Sequence, residues 1–302
     1  MIPFKVAAVY GDAADDVTGD SRRFRTIGVA GMMISGSARE RSTGQGMATR
    51  LYARPRVLPE ARFYLIGALL MMAVLVLGFS MQLAAGRSSF AAPPLVHVHG
   101  VLFFGWAVFY VLQTALASTG SLATHRRLGW FAAVWAPSMV VMGIWVTVAM
   151  VRRGAVPFVF APAYFLVMNP LNILTFAALT AAGIRLRRQT QYHRRLLFCA
   201  MASLTGPGIG RLLPMPLLIP HAAWAVFVVV MLFPLAGAIR DMRTSGRVHP
   251  AWWWGMGSIA GAQIAMSLIA YGPVGAALYD VVTLGSPGAD VPPLAYPPMP
   301  PM

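Results

Sequence analysis

FYLIGALLMMAVLVLGFSMQLA, residues 63–84, runs for 22 residues without a charged side chain. A helix rises about 1.5 Å per residue, so about 20 apolar residues cross the roughly 30 Å hydrocarbon core of a bilayer. Six further segments approach or exceed that length, at 95–117, 129–151, 158–182, 196–213, 218–239 and 251–270. The fourth is interrupted by Asn169-Pro170. The fifth is short and broken by GPGIG at 206–210, since proline and glycine loosen a helix. Such breaks survive in a membrane only where neighbouring protein or water satisfies the freed backbone groups. The chain therefore reads as an all-α, polytopic transmembrane bundle of about seven helices over residues 61–273.

Composition gives the same answer. The chain is 58% hydrophobic and 11% charged, against about 25% charged in an ordinary soluble domain. Lipid solvates apolar side chains that a water-soluble fold of this length has no means to cover. The net charge of +15 is not read as nucleic-acid binding, because the arginines stand at the ends of apolar runs, where membrane anchors belong. With the N-terminus placed in the cytoplasm, the inner connections hold ten arginines: 126, 127, 185, 187, 188, 194, 195, 240, 243 and 247. The outer ones hold four: 87, 152, 153 and 211. That asymmetry predicts an N-terminus inside and a C-terminus outside.

Outside the bundle, residues 1–60 are polar, Gly-rich and Ser-rich. They read as disordered, or as an extension upstream of a true start at Met47. Residues 274–302 read as a Pro-rich tail whose end, PPLAYPPMPPM, is extended or disordered. Cys199 lies alone in an apolar run and reads as a small buried hydrophobe. No zinc, nucleotide or nucleophile-elbow motif is present.

A short repeat stands out. HRRL at 125–128 opens the third span, HRRL at 193–196 opens the fifth, and RVHP at 247–250 opens the seventh. The echo fits three parallel helical hairpins after one extra helix, or shared interfacial chemistry alone. Six histidines lie near helix ends. His97, His99 and His221 are expected toward the outer face, and His125, His193 and His249 toward the inner. Histidine is the usual axial ligand of b-type haem, so two histidines near each face would suit haem b. His97 and His99 are two apart on one helix and point about 200° from each other, so only one of them faces the bundle. Arg211 suits a propionate or an anionic headgroup. Histidine beside arginine at a helix end is equally ordinary contact with headgroups. Asn169 and Asn172 share a face, lining a cavity or bonding between helices beside Pro170. Asp241 and Asp280 are expected beyond helix ends, leaving no acid inside a span for an ion-coupled relay. Trp252, Trp253 and Trp254 read as an interfacial belt.

Taken together, HVHGVLFFGWAVFYVLQ (97–113), THRRLGW (124–130), YHRRLLFCAMASLTGPGIGRLLP (192–214) and GRVHPAWWWG (246–255) resemble a family of bacterial multi-spanning membrane proteins of unknown function. More loosely they resemble b-type haem membrane proteins and oxidase-assembly factors. The matching positions are His97, His99, His125, Arg126, His193, Arg194, Arg211 and His249. The resemblance covers about residues 61–270. It implies a shared architecture and no catalytic role. The functional expectation is a redox membrane protein that binds haem b or handles quinone. The alternative is a non-catalytic factor that assembles or stabilises a membrane partner, and a transporter is a third reading. The partners expected are the lipid bilayer and a membrane protein, and nucleic acid is not expected.

Overall fold

The computed structural model describes residues 59–87 and 90–298. The expectations about residues 1–58, including a start at Met47, lie outside the described residues. The elements in chain order are α1 (Pro59–Ala84), α2 (Pro94–Ser118), α3 (Leu122–Gly129), α4 (Phe131–Arg152) and α5 (Pro162–Arg185). Then come α6 (Thr190–Ser203), α7 (Gly206–Leu212), α8 (Ala222–Ser245), α9 (Pro250–Ala270) and α10 (Pro273–Thr283), with no strand among the described residues. Pro94, Pro162, Pro250 and Pro273 each open a helix, where a missing N–H costs nothing and the ring presets φ. Gly246, at φ +70°, closes α8, a left-handed conformation that glycine adopts without a Cβ penalty.

Five helical stretches are long and apolar enough to cross a membrane: Glu60–Ala84, Pro94–Ser118, Leu122–Arg152, Pro162–Arg185 and Ala222–Ser245. A sixth crossing is available if α9 and α10, bent by 73° at their junction, act as one broken span. The chain is thus a multi-pass membrane protein. On α1, Ala68 and Met71 are fully buried while Leu69 and Leu70 are half exposed. One face meets protein and the other meets lipid, so apolar residues surround the helix.

The expected fifth span, 196–213, is two short helices. α6 has 14 residues and α7 has 7, and neither alone matches the bilayer. α6 is instead sheathed in protein, packed on α5, α9 and α8, with every residue from Leu196 to Ser203 buried except Leu197. The break at Leu204-Thr205 is closed by side chains. Ser203 Oγ donates to Ala200 O at 2.8 Å and Thr205 Oγ1 to Ala202 O at 2.6 Å. Asn172 Nδ2 donates across from α5 to Ser203 O at 3.2 Å. Asn172 therefore makes the interhelical bond and Asn169 does not, since its amide returns to Phe165 O of its own helix. Freed carbonyls are satisfied by protein, as the bilayer interior demands.

α7 packs closely on α1. A Cβ on Gly208 would stand 2.9 Å from Leu75 Cα and from Val74 O, so the two backbones approach where only glycine fits. The segment expected as a tail from residue 274 begins as a helix. α10 folds back with Tyr279 buried and its hydroxyl donating to Gly288 O at 2.8 Å, and Arg152 at the end of α4 donates to Val282 O at 2.6 Å.

Candidate functional site

The arginine-rich end of the bundle is built around a buried ion pair. Arg195 of α6 meets Asp241 of α8 through two bonds of 2.9 Å, Nε to Oδ2 and Nη2 to Oδ1. Trp252 of α9 donates its indole N–H to Asp241 Oδ2 at 2.9 Å. Both charged side chains are 5% exposed. Two parallel bonds suit the planar guanidinium, and full pairing is what permits charges this deep. Gly237 leaves room for the Trp252 indole to lie across α8. Glu60 of α1 pairs with Arg194 and lies 3.7 Å from Arg195. Gln191 Oε1 accepts from both arginines.

Three expectations change here. Asp241 and Asp280 both lie within helices, not beyond their ends. Trp252 is fully buried, whereas Trp253 and Trp254 are exposed as a belt requires. Arg195 is a core residue and not part of an interfacial connection.

Beside this pair, the two HRRL segments bring their histidines together. His125 of α3 and His193 of α6 lie edge-on to one another, with ring centres 6.2 Å apart and planes at 85°. The contacts repeat as the sequence does. His193 Nδ1 lies 2.8 Å from Gly183 O, ten residues upstream near the end of α5. His125 Nδ1 lies 3.2 Å from Gln113 O, twelve residues upstream near the end of α2. An Nδ1–H donated to a carbonyl leaves Nε2 as the free ligand atom. For His125 this depends on the neighbouring Gln113 amide. With its NH2 turned to the ring it donates to Nδ1 at 2.7 Å, its oxygen takes Gly129 N at 2.9 Å, and the proton sits on Nε2. With its oxygen toward the ring, Nδ1 donates and Nε2 is free. Burial, opposed by the bond to Gly183, holds the His193 imidazole below its ordinary range, and the nearby His125 and Arg187 push the same way.

His249 stands apart from this pair. It caps α9 by accepting from Ala251 N at 3.1 Å and packs edge-on against Tyr192 at 4.7 Å. Its Nδ1 is therefore an acceptor, the opposite tautomer from that required of a ligand anchored at Nδ1.

The remaining candidates form no ligand pair. His97 is exposed with Nε2 3.1 Å from Phe90 O, and His221 is exposed at the start of α8. His99 stacks on Phe103 of its own helix at 4.1 Å, with Nδ1 buried and without a hydrogen-bond partner. Arg211 lies over the Phe79 ring at 3.8 Å. Among the described residues, no group of three or more His, Cys, Asp or Glu side chains gathers as a metal cluster. His125 and His193 thus bring two imidazoles together, with Arg187 near enough for its charge to act on His193.

No family model, curated protein or solved structure matches the chain.

Proposed function

We propose that the protein is a redox-associated protein of the bacterial inner membrane, with its N-terminus in the cytoplasm, that holds a b-type haem between His125 and His193. The closeness of these two rings carries the reading. With about 2 Å for each bond from nitrogen to metal and about 1 Å from nitrogen to ring centre, one ion between two imidazoles sets the ring centres about 6 Å apart. The observed separation is 6.2 Å. The Gly183 carbonyl orients His193 through Nδ1, and metal binding at His125 requires Gln113 to turn its amide oxygen to the ring, giving up the NH2 bond to Nδ1 and the bond from Gly129 N. Arg126, Arg127, Arg187 and Arg188 are exposed at the same end and supply cations for propionates. Such a haem, when bound, supplies one-electron exchange. The other end offers no second ligand pair, so one haem is proposed and not two.

The test is haem content. The full chain, expressed in haem-replete cells and purified in detergent, is expected to carry one haem per chain. His193→Ala and His125→Ala are expected to lose it, while His97→Ala and His221→Ala keep it. A colourless wild-type protein would overturn the reading.

A further inference from the structure

At the end of the bundle away from the histidine pair, α1, α2 and α7 surround a cation that no carboxylate answers. Arg211 closes α7, and its position is set by its surroundings. Gln82 Nε2 donates to its carbonyl at 3.2 Å, its Nη1 donates to Pro207 O at 2.8 Å, and its guanidinium rests on Phe79. Phe79 is held edge-on by Phe104 of α2 at 5.0 Å. Among the described residues, no acid lies within ion-pair distance of Arg211. A guanidinium carries five donors, and the bond to Pro207 uses one. His99, about one turn before Phe104 on α2, adds a second unanswered group, a buried Nδ1 without a partner.

A half-buried guanidinium with most of its donors unfilled is costly until an anion or a row of acceptors meets it. The aromatic face of Phe79 contributes weakly and cannot fill the donors in the guanidinium plane. What the site lacks is a compact group with several acceptor oxygens and negative charge. Met81, Val98 and Leu212, each one residue from Gln82, His99 and Arg211, are exposed apolar side chains. An anion carried on acyl chains would thus find hydrocarbon contacts at the same place.

We infer that Arg211 and His99 form a binding site for a phosphate group, delivered by a glycerophospholipid headgroup from the adjacent leaflet. Arg211 makes charge-assisted bonds to the phosphate oxygens, and His99 donates through a ring N–H. The site is independent of the haem reading: it shares only α2 with it, and it uses His99 near the start of that helix where the histidine pair meets Gln113 near its end.

Native mass spectrometry of the detergent-purified full chain tests it, with phosphatidylglycerol as probe and diacylglycerol of the same acyl chains as the phosphate-free control. The wild type is expected to retain one phosphatidylglycerol and no diacylglycerol. Arg211→Gln is expected to weaken retention by about tenfold or more, the worth of a charge-assisted bond, and His99→Phe by a smaller factor. Arg87→Gln, an exposed arginine, is expected to change nothing. If Arg211→Gln fails to fold, Arg211→Lys keeps the charge and must keep the lipid. Displacement by millimolar inorganic phosphate would assign the site to free phosphate. Equal retention by the wild type and a folded Arg211→Gln protein, or equal binding of diacylglycerol, would overturn the inference.

Discussion

Replacing Asp241 by Asn removes one charge from the Arg195 pair and leaves nearly the same shape. Arg195 then keeps a buried positive charge, 5% exposed, with only Glu60 at 3.7 Å and the Gln191 acceptors to answer it. Breaking a buried pair from one side costs about 3–5 kcal/mol, chiefly through the charge left unpaired. Glu60 offsets part of that, and the Asn carbonyl still accepts from Trp252, so about 3 kcal/mol is expected. For a domain of this size each kcal/mol moves the midpoint by about 2–4 °C, which gives a drop of about 6–12 °C. The molecule carries its own reporter. Cys199 is the single cysteine of the chain, fully buried on α6 four residues after Arg195. Its reaction with a thiol-reactive fluorophore during heating reads the opening of that helix. Replacing both partners, with Arg195→Met and Asp241→Leu, is expected to recover most of the loss, since an apolar pair leaves no stranded charge. A single Asp241→Asn protein melting within about 2 °C of wild type would refute this account of the arginine-rich end.

Two further outcomes follow from the same structure. Gly208→Ala places a methyl group 2.9 Å from Leu75 Cα and is expected to cost about 1–3 kcal/mol by overpacking. Gly100→Ala, which meets nothing within 4 Å, is expected to be neutral in the same melt. Burial is the main cause holding both His193 and His249 below their ordinary pKa. For such groups the unfolded chain binds the extra protons, so stability is full above about pH 6.5 and falls as the pH drops below it. Midpoints compared at pH 7.5 and about pH 5.5 should show the acid sample melting lower, and His249→Gln, outside the proposed ligand pair, should shrink the difference. A rise on acidification would contradict the sign.

The long spans were legible because their physics is local. Residues 63–84 are apolar on every side, and a bilayer asks for little more. α6 was less legible, since its apolar run ends at Arg194-Arg195. Nothing in a hydropathy window says that Arg195 turns inward to an acid 46 residues away. One signal was available: Asp241 is the lone carboxylate in a stretch holding Arg240, Arg243 and Arg247. α10 escaped notice because 11 residues fall short of a span, and its burial depends on folding back over α4. The HRRL repeat was visible. That it would bring His125 against His193, and set His249 aside as a helix cap, depended on the packing of α3 and α6.

The most direct test of the proposed ligand pair is electron paramagnetic resonance of the oxidised, purified protein. Two imidazoles on one iron predict a low-spin ferric signal in the wild type that vanishes in the His125→Ala and His193→Ala proteins. A signal untouched by both substitutions, or a high-spin centre in the wild type, would contradict the pairing.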